Sequence, residues 1–143
     1  MQMYILNKTD KLLLEEIANL EKKIFTESYY SIEVLKDILK SEDYRILVVK
    51  NEEIKGYLII HDSYDIFEIM KIAVKEEYRN SGVAEKLVQF YLELEEKNLF
   101  LEVREGNIVA QNFYKKLKFK VVGKRKNYYS NGESAILMLL ERN

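Results

Sequence analysis

The sequence predicts an α/β fold in which a mixed, mostly antiparallel sheet carries helices on both faces, in the order ααβββαβαββ. Three observations predict it. Apolar spacing switches repeatedly between the three-to-four-residue period of a helix and the dense or two-residue period of a strand, the pattern of interleaved elements. At 143 residues, with 48% apolar and 33% charged side chains, the chain has the size and composition of one soluble domain, expected over residues 1–143. No proline occurs and the five glycines are scattered, so neither a linker nor a repeat interrupts it.

Between Thr9 and Ile24 the residues Leu13, Ile17, Leu20 and Ile24 share one helical face, with Thr9 or Asp10 as cap. Ser31 can cap a second helix, whose stripe is Ile32, Leu35, Ile38 and Leu39 and which ends before Ser41. Arg45–Lys50 and Ile54–His61 are rich in β-branched and aliphatic residues and flank Asn51-Glu52-Glu53, which predicts a hairpin. Ile66–Val74 follows as the next antiparallel strand. From Val83 to about Lys97 the set Val83, Ala84, Leu87, Val88, Tyr91 and Leu94 makes an amphipathic helix, broken at Asn98. Leu99–Val103 then reads as a strand parallel to Ile66–Val74, because a strand and a crossover helix precede it. Asn107 caps a short helix burying Ala110, Phe113, Tyr114 and Leu117. Phe119–Val122 and Ala135–Leu140 close the chain as strands joined by a polar loop containing Asn131-Gly132.

Composition excludes several chemistries. Cysteine is absent, which removes disulfides and thiolate nucleophiles, and His61 is the only histidine, so no metal site is expected and His61 is assigned no role. Net charge is −1, which offers no global field for nucleic acid or an anionic membrane. The longest apolar run, Ala135–Leu140, is far short of the roughly 20 residues of a membrane span, and Met1–Asp10 has no basic-then-apolar signal, so a cytoplasmic protein is expected. Seven basic residues between Lys115 and Lys126 form a local patch, readable as a solvated surface or as a contact for an acidic partner such as ribosomal RNA or the 3′-phosphate of coenzyme A.

Between the strand ending at Val74 and the helix opening near Gly82 lies Tyr78-Arg79-Asn80-Ser81-Gly82-Val83-Ala84. A strand, a turn and a helix opening on glycine present unpaired N–H groups and the positive end of the helix dipole, a combination that binds phosphate, and Arg79 adds a cation. An ordinary turn relieved by Gly82 has the same local appearance. The further glycines of a dinucleotide fingerprint and the Gly-Lys-Ser/Thr of a P-loop are missing, so another phosphate ligand is required.

Arg79-Asn80-Ser81-Gly82-Val83-Ala84 resembles the Arg/Gln-x-x-Gly-x-Gly/Ala signature of the GNAT superfamily of N-acetyltransferases, in which this loop cradles the pyrophosphate of acetyl-CoA. Ile72-Ala73-Val74, Leu101-Glu102-Val103-Arg104 with Asn107, and Asn112-Phe113-Tyr114-Lys115-Lys116-Leu117-Lys118-Phe119 match further motifs in the right order. The last two, with Arg125-Lys126-Asn127-Tyr128-Tyr129 and Ala135-Ile136-Leu137-Met138, resemble the RimI-like branch, the ribosomal-protein alanine N-acetyltransferases. Departures are Lys71, where a small polar residue often precedes Ile72, Lys118 in place of a glycine, and Phe25-Thr26-Glu27-Ser28-Tyr29, which lacks the branch's proline and tryptophan.

The resemblance implies acetyl-CoA as cosubstrate, no metal, and transfer to a protein or peptide N-terminus, a ribosomal protein among the candidates. A small-molecule amine or lysine acetyltransferase, and a non-catalytic coenzyme A or RNA-binding module, are the alternatives on the same scaffold. Arg79, Asn80, Ser81, Gly82, Val83 and Ala84 are then expected to hold the pyrophosphate, Ile72, Ala73 and Val74 to pair with pantetheine through backbone groups, and Asn107 to bond the same arm or serve only as a helix cap. Glu102 matches the family's general base, although its periodicity also suits an exposed strand position. Glu68, among aliphatic neighbours, can serve as a base near neutral pH or sit at a solvated strand end. Tyr114 falls on a buried stripe, yet its phenol can protonate a departing thiolate, and the family match makes it the general acid. Phe25, Tyr29, Tyr128 and Tyr129 are expected to line the acceptor side, where tyrosine packs a peptide backbone and keeps a polar tip.

Overall fold

The computed structural model describes residues 2–142. Its elements run β1 (Gln2–Ile5), α1 (Lys11–Ile24), α2 (Ile32–Lys40), β2 (Tyr44–Lys50), β3 (Ile54–Asp62), β4 (Ile66–Val74), a 3-10 turn at Glu76–Tyr78, α3 (Val83–Leu94), β5 (Asn98–Arg104), α4 (Ile108–Lys116), β6 (Lys120–Arg125) and β7 (Ala135–Leu140). The strands form one seven-stranded sheet in the order β1-β2-β3-β4-β5-β7-β6. β4 and β5 pair in parallel, with Ile66 opposite Asn98, and α3 makes the crossover between them, as the chain order requires.

Two compact units are present: the chain to His61 with Met70–Leu94, and Asp62–Ile69 with Glu95 onward. The first unit is built on β1, β2 and β3. Its core holds Leu14, Ile17 and Leu20 of α1, Leu35 and Ile38 of α2, and Ile46, Val48, Ile54, Tyr57 and Ile59 of the sheet. Ser31 caps α2 by accepting the Val34 N–H at 3.2 Å, as its position in the sequence predicts. Asp10 starts α1 without capping it, because its carboxylate instead accepts the Asn7 N–H at 2.8 Å. Tyr57 turns toward α1, while the neighbouring Gly56 lies under α3, so this unit has helices on both faces of the sheet. A Cβ on Gly56 would lie 2.9 Å from the Ala73 carbonyl oxygen and 3.0 Å from Val83, so only glycine lets the start of α3 come so close.

In the second unit β7 lies between β5 and β6 and is antiparallel to both. β5 alternates cleanly: Leu99, Leu101 and Val103 are buried, while Phe100, Glu102 and Arg104 face the other side half-covered. Asn107 caps α4 by accepting the Ala110 N–H at 3.1 Å. Buried Gln111 donates to the carbonyls of Arg104 at 3.2 Å and Glu105 at 2.8 Å, tying the end of β5 to this helix.

The observed order adds one element to the expected ααβββαβαββ, the edge strand β1. Its residues Gln2–Ile5 are half-buried or exposed and pair only with β2, so they carry no run of core positions from which a strand could be read. The amphipathic helix over Val83 stops at Leu94 instead of about Lys97, and the strand expected at Phe119–Val122 runs from Lys120 to Arg125.

Candidate active site

In the first unit the chain leaves β4 through the 3-10 turn and reverses direction before α3. Asn80 and Gly82 both take left-handed backbone angles, φ +61° and +83°. The Ser81 hydroxyl donates to the Tyr78 carbonyl, and Arg79 Nε donates to the Val74 carbonyl at 3.1 Å. The base of the turn is braced by Glu53, which accepts from Lys75 Nζ at 2.9 Å and from the Tyr78 hydroxyl at 3.0 Å. Those partners, Lys75 first, hold the Glu53 carboxyl below its usual range.

A Cβ added at Gly82 would meet nothing within 4 Å, so the loop is open on that side. The N–H groups of the first turn of α3 have no helical acceptor and lie at the positive end of its dipole. These donors, with the exposed Arg79 guanidinium, are of the kind that bind phosphate oxygens. Ile72, Ala73 and Val74 occupy the end of β4 just before this turn.

The second unit gathers the carboxylates. Glu102 is covered to 17% side-chain exposure and takes an ion pair from Arg125 Nε at 3.1 Å. The Tyr128 hydroxyl also donates to Glu102, and the Glu102 charge, with a smaller contribution from Glu68, pushes the Tyr128 phenol up. Glu68 of β4 stands opposite Phe100 in the parallel register, so both glutamates act on the same hydroxyl. Tyr128 and Tyr129 meet edge to face at 5.2 Å, and the Arg104 guanidinium lies 3.9 Å over the Tyr129 ring. Arg104 in turn pairs with Glu133 at 3.1 Å.

Tyr114 is 5% exposed, edge to face with Phe113 at 5.1 Å and with Phe119 at 5.3 Å. Its hydroxyl makes no hydrogen bond among the described residues, and burial pushes its pKa well above the ordinary phenol range. Asn107 spends its side-chain oxygen on the helix cap and keeps its amide N–H groups. In the basic segment, Lys124 pairs with Glu105 and Arg125 with Glu102, while Lys115, Lys116, Lys118, Lys120 and Lys126 are exposed without an ion pair among the described residues. His61 stacks against Tyr44 at 4.5 Å between ring centres. Among the described residues no group of three or more His, Cys, Asp or Glu is placed to hold a metal ion, and no helix is long and apolar enough to cross a membrane.

Comparison with known proteins accounts for this combination. The model of the acetyltransferase (GNAT) family matches residues 14–119. The chain belongs to the GNAT acetyltransferase family. This GNAT chain is 34% identical over 131 residues to a Bacillus subtilis protein provisionally named ribosomal protein bS18-alanine N-acetyltransferase, covering 87% of each chain. The crystal structure of the ribosomal-protein-S18-alanine N-acetyltransferase from Escherichia coli superposes with a TM-score of 0.82 at 25% identity, over 97% of this chain and 93% of that one. An aminoglycoside 6′-N-acetyltransferase complexed with coenzyme A shares the fold, with a TM-score of 0.85 at 16% identity over 98% of this chain and 96% of that one. The GNAT protein described here is an acetyl-CoA-dependent N-acetyltransferase, and the RimI-like resemblance read from its motifs is borne out.

Glu21, Gly56, Gln111 and Glu133 stand in no sequence motif, and Lys71 is visible in the sequence only as a departure from one. Lys71 carries a visible signal, a lone cation inside the apolar strand Ile66–Val74. Glu21 carries one too, since it falls four residues after Ile17 and seven after Leu14, on the apolar face of α1, where a carboxylate needs partners.

Proposed function

We propose that this acetyltransferase acetylates the N-terminal α-amine of a protein, of the ribosomal-protein alanine type, with Glu102 as general base, Tyr114 as general acid and Glu68 as an auxiliary carboxylate. The observation that carries this reading is the setting of Glu102, a mostly covered carboxylate already accepting hydrogen bonds from Arg125 and Tyr128. An ammonium can take the place of either donor on such a carboxylate. The names of the Bacillus subtilis relative and the Escherichia coli structure support the acceptor class. The family match spans residues of both compact units, which supports their working as one domain.

When bound, acetyl-CoA supplies the acyl group as a reactive thioester. Arg79, Asn80, Ser81, Gly82, Val83 and Ala84 would hold its pyrophosphate through N–H donors and the guanidinium. Ile72, Ala73 and Val74 would pair with its pantetheine amides as an added strand, and Asn107 would bond the same arm through its amide N–H groups. Glu102 accepts the proton of the acceptor ammonium, directly or through water, with Glu68 assisting. The Tyr114 hydroxyl, kept protonated by burial, donates the proton that the departing sulfur needs. Phe25, Tyr29, Tyr128 and Tyr129 line the acceptor side.

An α-amine suits this machinery. With a pKa of about 7.7–8.0 it is substantially neutral at physiological pH, whereas lysine near 10.4 leaves about a thousandth neutral, so a modest carboxylate base is sufficient for the former. The test is a peptide panel incubated with acetyl-CoA, following thiol release and locating the acetyl group by mass spectrometry. Modification of peptides with N-terminal alanine, abolished by blocking that amine, is the expected result. Acetylation confined to internal lysines or to free polyamines would move the enzyme to another acceptor class.

A further inference from the structure

Glu21 is the only buried carboxylate among the described residues, fully enclosed near the end of α1. One of its oxygens accepts the Tyr30 N–H at 2.8 Å and Lys71 Nζ at 3.0 Å, and the other accepts the Tyr57 hydroxyl. Lys71 Nζ also donates to the Ser28 carbonyl at 2.8 Å and sits 3.7 Å over the Phe25 ring and 4.6 Å over the Tyr30 ring. This cluster joins α1, β3, β4 and the 25–31 connection between α1 and α2.

A buried ion pair is a poor way to gain stability, since removing two charges from water offsets most of their attraction and well-packed apolar side chains serve as well. What apolar side chains cannot do is hold backbone groups. Here the pair grips the connection at two backbone points, the Ser28 carbonyl and the Tyr30 N–H. Within the connection itself the Ser28 N–H donates to the Phe25 carbonyl at 3.2 Å, and Thr26 to Tyr29 are exposed. The grip also fixes where the connection lies, because Lys71 immediately precedes Ile72, the first of the three β4 residues assigned to the cosubstrate arm.

We infer that Glu21 and Lys71 are positioning residues for the acceptor: by clamping the 25–31 connection to β4 they set where Phe25 and Tyr29 meet the incoming amine. This rests on the reading that those two side chains bind the acceptor. The clamp does no chemistry, so its loss changes how well the acceptor is held and leaves both the proton transfers and cosubstrate binding in place.

The decisive variant removes the clamp without stranding a charge or a hydroxyl, as Glu21→Leu combined with Tyr57→Phe and Lys71→Met. If the freed connection must be re-ordered at each encounter, even at one residue, KM for a peptide with N-terminal alanine rises by about tenfold. The expected result is that rise, with kcat and acetyl-CoA affinity little changed and thermal stability close to the parent. A purely structural pair predicts instead that the triple variant, once stable, has the parent's KM; that outcome overturns the inference. Phe25→Ala and Tyr29→Ala separate this failure from the other. If neither raises the peptide KM, the acceptor assignment itself is wrong, whereas if either does and the triple variant does not, only the clamp is wrong. Hydrogen exchange on the unmodified protein gives a reading that depends on no variant folding. The Tyr30 amide should exchange far more slowly than those of Glu27 and Tyr29, and equal rates would overturn the clamp.

Discussion

Glu102 is held by Arg125 and Tyr128 before any acceptor arrives, so replacing its charge tests the base without removing the shape of the site. Glu102→Gln should lower kcat by about 10²–10⁴ and leave acetyl-CoA affinity nearly intact in calorimetry, with Glu68→Gln costing less. Tyr114→Phe should lower kcat over a similar range. Because burial raises the Tyr114 phenol, the alkaline limb it governs should lie above the ordinary phenol pKa near 10 and vanish from the pH profile of the variant. At Gly82 a side chain meets open space but a strained backbone, so Gly82→Val should weaken acetyl-CoA binding with a modest loss of folding stability, and an unchanged calorimetric affinity would remove the loop from the cosubstrate site. Much of the candidate site was legible as single residues, since Glu102, Tyr114, Asn107 and Arg79 to Ala84 each stand in a local motif. Their partners were not legible. Arg125 and Tyr128 reach Glu102 from more than twenty positions downstream, and no spacing rule connects a strand residue to a loop that far away.

At the scale of elements, the close approach of β3 and α3 is the feature most open to test. Gly56→Ala would place a methyl group 2.9 Å from the Ala73 carbonyl oxygen, a backbone atom that cannot swing aside, and 3.0 Å from Val83. The substitution should cost about 1–3 kcal/mol, read from the denaturant midpoint, and should weaken acetyl-CoA binding as well, because the displaced turn is the one bearing the free N–H groups. Elements with a strong internal period were readable from sequence: Ile66–Val74 and Ala135–Leu140 have the expected boundaries, and Ser31 and Asn107 cap the helices they were expected to cap. Elements defined by their neighbours were not. β1 exists because β2 offers it a free edge, and β6 is exposed along most of its length and held by β7, with a register shift between Val121 and Gly123 that no alternation foretells.

For the whole molecule, two buried phenols contribute to the response to alkali. Tyr57, by burial and by its bond to Glu21, and Tyr114, by burial, both have folded pKa values raised above those of the unfolded chain. Above about pH 10 the unfolded chain binds fewer protons than the native one, so their contribution is complete below that pH and is lost as pH rises further. Calorimetric Tm should therefore fall between about pH 9 and about pH 11, and less steeply in Tyr57→Phe compared at equal starting stability. The placing of β7 between β5 and β6 bears on how the chain is made. Both neighbours leave the ribosome before the strand that joins them, so each emerges with an open edge facing the place β7 will fill. During that interval Leu99, Leu101 and Val103 lie on a strand whose antiparallel partner has not been synthesised, and this part of the growing chain is most exposed to aggregation just before β7 appears.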